Sequence, residues 1–273
     1  MRERGAGVYT DRREALLTIE LNGRVALVVG GSRGIGGAIT ETLAAAGARV
    51  IFTHTGKPEY RPRVEALLRR ARELGGTVVE SEALEACDAG RTSALVERIV
   101  RDQGKIDILV HNVGRNTACR AEDVTDENWR EAMDINLTSA FNSVRAVLPH
   151  MVSARYGRII LIGSSAVYSG GGGAMDYAAA KAGLTGIMTY LCKEYARKGI
   201  LTNIIHPCVI ETDLLRERYA DRTAKQKLIS QIPAGRLGKP EDIAGLAAYL
   251  ASSWGDYICG QSILVDGGRT LFG

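Results

Sequence analysis

The sequence predicts an α/β fold in which one doubly wound parallel sheet is flanked by helices. Three observations predict it. Short, almost wholly apolar runs alternate with longer stretches of helical character. A glycine-rich turn follows the first apolar run. No repeat, low-complexity tract or linker interrupts the alternation, so we expect a single domain over residues 21–273, preceded by a charged lead-in over residues 1–20.

The first strand–helix–strand unit occupies the start of this domain. Residues 24–29 form an apolar run, which is typical of a strand buried on both faces of a parallel sheet. Residues 34–46 form an Ala-rich helix that ends at Gly47, because glycine readily adopts the left-handed conformation that closes a helix. Residues 49–53 are a second apolar strand. The glycine-rich turn therefore joins a buried strand to a helix.

The alternation continues to the C-terminus. We predict further strands at residues 77–87, 106–111, 158–162, 200–206 and 263–265, and further helices at residues 61–74, 92–101, 126–151, 176–198 and 241–250. Three glutamates make residues 77–87 a poor buried strand, so part of this segment is expected to be an exposed insertion. Residues 211–232 are charged and lack an apolar run of strand length, which favours a lid.

Composition and charge argue against several classes of function. The net charge of +4 comes from 35 basic and 31 acidic residues that are intermixed, and aromatic residues make up only 5%, so no nucleic-acid surface is expected. The five cysteines are scattered, which argues against a disulfide framework and against a metal site. No stretch is long and apolar enough to cross a membrane. We expect a cytoplasmic protein with a small-molecule substrate.

The glycine-rich turn has the sequence Gly30-Gly31-Ser32-Arg33-Gly34-Ile35-Gly36. At the N-terminus of a helix, free backbone N–H groups and the helix dipole favour an anion such as a pyrophosphate. Glycines let such a ligand approach the backbone closely. A plain tight turn is the alternative, and the position of the turn directly after a buried strand favours the dinucleotide site of a Rossmann-type fold.

Tyr177 and Lys181 are four residues apart in a predicted helix and therefore lie on the same face. The phenol of a tyrosine ordinarily titrates at about 10, and a neighbouring ammonium lowers this pKa by stabilising the phenolate. We therefore expect Lys181 to make Tyr177 usable as a general acid or base. An ordinary exposed pair on a helix is the alternative for this spacing taken alone.

Several further motifs accompany this pair in a fixed order. They are His111-Asn112-Val113-Gly114 at the end of the fourth strand, Asn136 in Asp-Ile-Asn-Leu, Ser164 after the fifth strand, residues 203–207, and Val265-Asp266-Gly267-Gly268. With the Gly-x-x-x-Gly-x-Gly turn and Tyr-x-x-x-Lys, they resemble the short-chain dehydrogenase/reductase family, in its shorter branch, over residues 21–268. The motifs are most similar to those of members of the 3-oxoacyl-carrier-protein reductase type.

The resemblance implies a catalytic tetrad and a reaction. The tetrad would consist of Asn136, Ser164, Tyr177 and Lys181. Ser165 is the rival of Ser164, since one of two adjacent serines often satisfies turn backbone groups. Ser164 and Tyr177 would hold the substrate oxygen while a hydride passes between nicotinamide and carbon, and Tyr177 would transfer the proton. Lys181 would also bind the nicotinamide ribose, and Asn136 would interrupt its helix and hold a water of the proton relay.

The resemblance also implies the cofactor contacts. The expected positions are Gly30, Ser32, Arg33, Gly34, Ile35, Gly36, His54, Asp88, Ala89, Asn112, Gly114, Tyr177, Lys181, Pro207, Ile210 and Thr212. An NAD enzyme usually carries an acidic residue after the second strand, but residues 50–58 hold no carboxylate. Arg33 matches a basic position of NADP-dependent members, with Lys57 or His54 in support, so NADP is favoured and NAD is the alternative. Helix capping is the alternative role for Asp88.

Two positions depart from the family pattern, and one loop leaves the substrate open. Val29 replaces the threonine usual before the first glycine, so a hydrogen bond that braces the turn is expected to be missing. Cys208 replaces the glycine that usually follows Pro207, and we expect a small buried residue there rather than a functional thiol. The loop over residues 170–173 consists of four glycines and offers no side chain to recognise a substrate.

The sequence therefore predicts an NADP-preferring oxidoreductase that acts on a carbonyl or alcohol carbon, with a 3-oxoacyl thioester or another ketone as substrate. Sugar, steroid and aromatic alcohols are the alternative substrates. A non-catalytic cofactor-binding regulatory protein is the alternative of another class, and its expected mark is a broken tetrad. An epimerase or dehydratase of the longer branch of the family is a further alternative, because it also uses Tyr-x-x-x-Lys. Such enzymes normally have a longer chain and another glycine spacing. The resemblance further implies a homotetramer formed through the helices over residues 126–151 and 176–198.

Overall fold

The computed structural model describes residues 18–75, 79–170, 174–212, 215 and 221–272. These residues form one sheet of seven parallel strands. The strands are β1 (Val25–Val29), β2 (Arg49–His54), β3 (Val79–Ala83), β4 (Ile108–His111), β5 (Gly157–Ile162), β6 (Ile200–Pro207) and β7 (Ser262–Val265). Their order is β3-β2-β1-β4-β5-β6-β7. The direction of winding reverses between β1 and β4, which confirms the predicted doubly wound fold.

Helices cover both faces of the sheet. They are α1 (Gly34–Ala45), α2 (Arg61–Glu73), α3 (Ala89–Gln103), α4 (Asp126–Met133), α5 (Ser139–Ala154), α6 (Ala166–Ser169), α7 (Met175–Tyr195), α8 (Arg222–Ser230), α9 (Pro240–Ala251) and α10 (Arg269–Phe272). Short 3₁₀ helices lie at Pro58–Tyr60, Ala121–Asp123, Ala196–Lys198 and Ser253–Gly255. Helices α1, α2 and α9 pack on one face of the sheet, and α3, α5 and α7 pack on the other.

The central strand β1 shows why this sequence forms a sheet that is buried on both faces. Ala26 and Val28 join the apolar cluster under α1 and α9. Val25, Leu27 and Val29 point the other way, into the cluster under α3 and α5. A polar side chain in this strand would lose its water on either face, which is why the run is apolar throughout. The turn that follows Val29 is thereby fixed at the carboxyl edge of the sheet.

Strand β3 forms one edge of the sheet and carries glutamates. It pairs in parallel with β2 along its whole length. Glu80 and Glu82 face Arg98 of α3, whose guanidinium nitrogens lie 3.9 Å and 2.7 Å from their carboxylates. Charged residues suit an edge strand because they hinder pairing with another chain. The strand predicted within residues 77–87 is thus present at Val79–Ala83 as an edge strand, while residues 77 and 78 lie outside the described ranges.

The long helix predicted over residues 126–151 is interrupted, so that part of the prediction was wrong. A π-helical turn, Asp134–Thr138, separates α4 from α5. Asn136 is buried in this turn, and its Nδ2 donates to the carbonyl oxygen of Ala132 at 3.0 Å. Asparagine side chains compete for backbone partners, and π-helical turns often occur at functional sites. The interruption that the family resemblance implied at Asn136 is present.

The predicted lid over residues 211–232 is described only in part, because residues 213, 214 and 216–220 lie outside the described ranges. Its later part contains α8, which begins after Asp221. The carboxylate of Asp221 caps this helix by accepting a hydrogen bond from Ala224 N at 2.7 Å. The lead-in up to residue 17 and the glycines at 171–173 also lie outside the described ranges. Among the helices that are described, none is long and apolar enough to span a membrane.

Candidate active site

The residues predicted from the sequence gather at one edge of the sheet, where the carboxyl ends of the strands meet. This is the edge at which open parallel sheets bind their ligands. The predicted positions lie at or after the ends of β1 (residues 30–36), β2 (His54), β3 (Asp88 and Ala89), β4 (Asn112 and Gly114), β5 (Ser164) and β6 (Pro207, Ile210 and Thr212). Helix α7 brings Tyr177 and Lys181 to the same edge, and the π-helical turn brings Asn136.

The glycine-rich turn leaves room for a ligand where side chains would obstruct it. Gly30 and Gly34 adopt left-handed φ values of 77° and 53°. A Cβ on Gly36 would lie 2.1 Å from the carbonyl oxygen of Gly30, so a side chain cannot be accommodated there. No side chain of the described residues caps α1, and its first turn holds no acidic residue. The first N–H groups of α1 therefore remain available to an anion such as a pyrophosphate.

The turn is braced in spite of Val29. The N–H of Gly30 donates to Thr53 Oγ1 at 3.0 Å, and its carbonyl accepts from Asn112 Nδ2 at 2.9 Å. Thr40 Oγ1 donates to the carbonyl oxygen of Gly31 at 3.0 Å. Three side chains, one in β2, one directly after β4 and one in α1, thus hold the turn. These contacts offset the expected weakness, and only the tertiary structure reveals them.

The side chain of Ser164 interacts with the phenol of Tyr177. Burial raises the pKa of Tyr177, and the hydrogen bond from Ser164 lowers it by less. The net direction is opposite to the sequence prediction, in which Lys181 lowers this pKa. The physical reason is that the phenol lies in a largely buried place, where the charged form loses solvation. Of Ser164 and Ser165, Ser164 is the one whose side chain interacts with the phenol of Tyr177.

Lys181 is buried and is held by the backbone. Its Nζ donates to the carbonyl oxygens of Val113 and Ile162, each at 3.0 Å. Burial lowers the pKa of Lys181 to about 8. Two of the three N–H groups of the ammonium therefore have fixed partners near the ends of β4 and β5. These two hydrogen bonds set the direction of the third N–H group.

The side chains of Asn136 and Lys181 both lie close to Gly114. A Cβ at Gly114 would lie 3.0 Å from Lys181 Nζ and 3.1 Å from Asn136 Oδ1. Asn136 Oδ1 accepts from the N–H of Arg115 at 3.0 Å, and its Nδ2 donates to the carbonyl of Arg115 at 3.0 Å. The amide thus clamps the loop after β4 beside the lysine. All four predicted tetrad residues lie together in the described structure.

The nucleotide end of the site contains a residue that the sequence analysis missed. The guanidinium of Arg33 lies over the ring of Tyr60, which closes the 3₁₀ helix before α2. Its only sequence signal is an aromatic residue shortly after β2. Burial lowers the pKa of His54, so the imidazole is neutral near pH 7, and its Nδ1 accepts from the N–H of Gly56 at 3.1 Å. Of the three basic residues predicted for this end, Arg33 and Lys57 therefore remain as cations.

Asp88 adopts the capping role that was its alternative. Its carboxylate accepts a hydrogen bond from Arg91 N at 2.9 Å and so caps α3. The side chain of Asn112 is likewise engaged by the protein, at the carbonyl of Gly30. Contacts of Asp88 and Ala89 with a cofactor stay predictions.

The segment after β6 folds back over the glycine-rich turn. The Cγ2 of Thr212 lies 3.1 Å from the place of a Cβ on Gly34. Cys208 is buried, as expected for a small residue at this position, and its Sγ accepts from Arg269 Nη1 at 3.6 Å. Val209 adopts a left-handed φ of 49°, which is strained for a β-branched side chain. Backbone strain of this kind is often found at functional sites, where the surrounding structure holds the strained residue in place.

Two neighbouring cavities open near the start of α7, and the smaller one is lined by Tyr177. One of about 220 Å³ is lined by residues that include Arg115, Asp176 and Tyr177. A more open one of about 670 Å³ lies against Gly170, Met175 and other residues at the start of α7. Ala118 and Cys119 border both cavities. A substrate carbonyl at Tyr177 would thus have room for an attached chain.

A doubly wound sheet with this turn and these polar side chains at its carboxyl edge defines a nicotinamide-dependent oxidoreductase. Comparison with known proteins specifies it further. A family model described as "Enoyl-(Acyl carrier protein) reductase" matches residues 29–270. The chain belongs to the short-chain dehydrogenase/reductase family, as its motifs indicated.

Several relatives match nearly the whole chain. The 3-oxoacyl-[acyl-carrier-protein] reductase FabG of Escherichia coli (strain K12) is 40% identical over 253 residues, which are 93% of this chain and 100% of that protein. A putative gluconate dehydrogenase from Agrobacterium tumefaciens superimposes with a TM-score of 0.85 at 33% identity, covering 93% of this chain and 99% of that one. A 3-oxoacyl (acyl-carrier-protein) reductase from Agrobacterium tumefaciens C58, with NADP bound, gives a TM-score of 0.85 at 30% identity, covering 94% and 99%.

Proposed function

We propose that this enzyme reduces the keto group of a 3-oxoacyl thioester with NADPH, with Tyr177 as the proton donor. The observation that carries the proposal is the position of Tyr177 at the carboxyl edge of the sheet, beside Ser164 and on the same helical face as the buried Lys181. Support for the substrate class comes from the 40% identity to a reductase of this kind. The cavity lined by Tyr177 and the larger one next to it give such a substrate room for its acyl chain and thioester.

In the proposed reaction, each member of the tetrad acts at one place. Ser164 and Tyr177 hold the substrate oxygen, and the phenol gives it a proton as negative charge develops. Because burial raises the pKa of Tyr177, the phenol is protonated before reaction and suits the role of acid. The nicotinamide, when bound, supplies the hydride.

Lys181 and Asn136 restore the protonated state of the phenol. The Lys181 ammonium, anchored on two carbonyls, lies on the same helical face as Tyr177 and attracts the phenolate formed by proton transfer. Its lowered pKa makes it a ready proton donor near neutral pH. Asn136 fixes the loop beside the ammonium, and a water bound there would return the proton to Lys181.

The residues at the nucleotide end fit NADP. Arg33 presents an exposed guanidinium whose fork matches a phosphate, and Tyr60 holds it from one side. Residues 50–58 contain no carboxylate that would repel a 2′-phosphate or bind a ribose 2′-hydroxyl. Lys57 adds a second positive charge in the same segment.

We propose a homotetramer for the assembly. Trp129, Phe141 and Tyr190 are 40%, 45% and 61% exposed on α4, α5 and α7, the helices expected at the interfaces. Large apolar side chains exposed on neighbouring helices are typical of interaction surfaces. Light scattering is expected to give the mass of four subunits, and a monomer would contradict the proposal. The five free cysteines agree with a cytoplasmic location. We further propose that residues 21–273 form one domain.

The substrate class is tested by following the absorbance of NADPH with two probes, acetoacetyl-CoA and gluconate. We expect reduction of the thioester to be faster with NADPH than with NADH, and no oxidation of gluconate with either oxidised cofactor. Turnover of gluconate alone would transfer the assignment to the sugar-acid class suggested by the structural relative. Binding of NADPH without turnover of either probe would favour the regulatory alternative.

A further inference from the structure

We propose that Cys192 and Cys259 form a disulfide when the protein meets a hydroperoxide, and that a thiol reductant reverses it. The two residues are 67 positions apart in the sequence and lie away from the tetrad, yet the Sγ of Cys259 is 3.0 Å from the Sγ of Cys192. A disulfide bond has a length of about 2.05 Å, so the sulfur atoms need to approach by only about 1 Å.

The surroundings of the pair hold both sulfurs in place. Cys192, on α7, donates from its Sγ to the carbonyl oxygen of Thr202 at 3.3 Å. The N–H of Gly260, which follows Cys259, donates to the same carbonyl at 2.9 Å. Both cysteines are thus tied to one point of β6. Both are half-buried, so a small oxidant reaches them while a large thiol-bearing partner is hindered.

The chemistry balances with a hydroperoxide as the oxidant. One thiolate attacks the O–O bond, so a sulfenic acid forms and water or an alcohol leaves. The second sulfur then attacks the sulfenic sulfur, which forms the S–S bond and releases water. The two sulfur atoms together lose two electrons, which the peroxide takes up, and their two protons end in the products.

The two sulfurs have different roles in this sequence. The Cys192 thiol donates its proton to the carbonyl oxygen of Thr202, and burial raises its pKa, so that it stays protonated. A thiol that stays protonated is a poor nucleophile toward a peroxide. We therefore assign the first attack to Cys259 and the second to Cys192. The new bond would tie α7 to the segment before β7, eleven residues beyond Lys181 and so about 16 Å along the helix.

The test uses the full chain, reduced and then exposed to hydrogen peroxide. Free thiols are alkylated under denaturing conditions and counted by intact mass. With five cysteines in the chain, we expect three alkylated thiols after oxidation and five again after treatment with dithiothreitol. Cys192→Ser and Cys259→Ser are expected to form no intramolecular disulfide. Cys87→Ser, at an exposed cysteine elsewhere, serves as the matched control and is expected to form it.

Three results would overturn the proposal. They are five alkylated thiols in the oxidised protein, a disulfide that persists in Cys259→Ser, and oxidation of Cys259 to higher acids without loss of the Cys192 thiol. A peptide map that joins the two cysteine-containing peptides within one chain is the expected positive result. Because the site is separate from the tetrad, we expect the oxidised protein to retain turnover and to melt at a higher temperature than the reduced protein.

Discussion

The guanidinium of Arg33 lies over the ring of Tyr60, with Arg33 Cζ 4.6 Å from the ring centroid. Arg33 belongs to the glycine-rich turn and Tyr60 precedes α2, so the contact joins two segments that border the end of β2. A long exposed side chain loses conformational freedom when it binds a ligand. The ring reduces that loss, because it holds the guanidinium near the place where a 2′-phosphate is expected.

Arg33→Ala is therefore predicted to weaken NADPH binding by about 10- to 100-fold, the size expected for a lost hydrogen-bonded charge pair. NADH has no 2′-phosphate, and its affinity is expected to change little. Titration of both reduced cofactors by their fluorescence measures the two dissociation constants. Equal losses for NADPH and NADH would contradict the assignment of NADP.

Tyr60→Leu is predicted to weaken NADPH binding by about two- to fivefold, as expected for an exposed cation–π contact, and to leave NADH binding unchanged. Tyr60→Phe keeps a ring under the guanidinium and is the matched control. In the Arg33→Ala background, Tyr60→Leu should have no further effect. A loss of the same size with and without Arg33 would show that Tyr60 acts on the nucleotide by another route.

Gly36→Ala is predicted to disrupt the cofactor site. Its Cβ would lie 2.1 Å from the carbonyl oxygen of Gly30 and 2.6 Å from Asn112 Nδ2, so the turn has to move. We expect a lower melting temperature and loss of NADPH binding. Gly37→Ala is the control, since its nearest neighbour atom, in Ser32, lies at 3.6 Å, and alanine there should stabilise α1 by about 0.5–1 kcal/mol. Normal binding by Gly36→Ala would refute this role.

The buried amine of Lys181 predicts a pH dependence of stability without added nucleotide. Burial lowers its pKa from 10.5 in the unfolded chain to about 8 in the folded chain. Between these values the unfolded state binds more protons, so the free energy of unfolding rises with pH through this window. Urea unfolding at about pH 7 and pH 10 should show a smaller rise for Lys181→Met than for the unchanged protein. Identical rises would contradict the lowered pKa.

Much of the fold follows from local sequence, and what does not follow depends on contacts between distant residues. The apolar runs predicted the sheet because a strand buried on both faces must be apolar along its length. The break at Asn136 depends in part on a hydrogen bond to Arg115, 21 positions away. A continuous helical pattern does not contain that partner.

The candidate site shows the same limit. The motif predicted which residues lie together, because its spacing reflects the strand ends and a helical face. It did not predict the direction of the pKa of Tyr177, since burial is a property of the folded chain. Nor did it predict the ring under Arg33 or the pairing of Cys192 with Cys259, which depend on packing.

The role of Tyr177 is tested most directly by Tyr177→Phe, measured in two ways on the same preparation. NADPH-dependent reduction of acetoacetyl-CoA is predicted to fall by at least about 100-fold, because the proton donor is lost. The dissociation constant for NADPH is predicted to stay within about twofold, since the phenol contributes little to binding. Tyr257→Phe, at a fully exposed tyrosine, should change neither quantity. Retained turnover in Tyr177→Phe would contradict the proposed reaction.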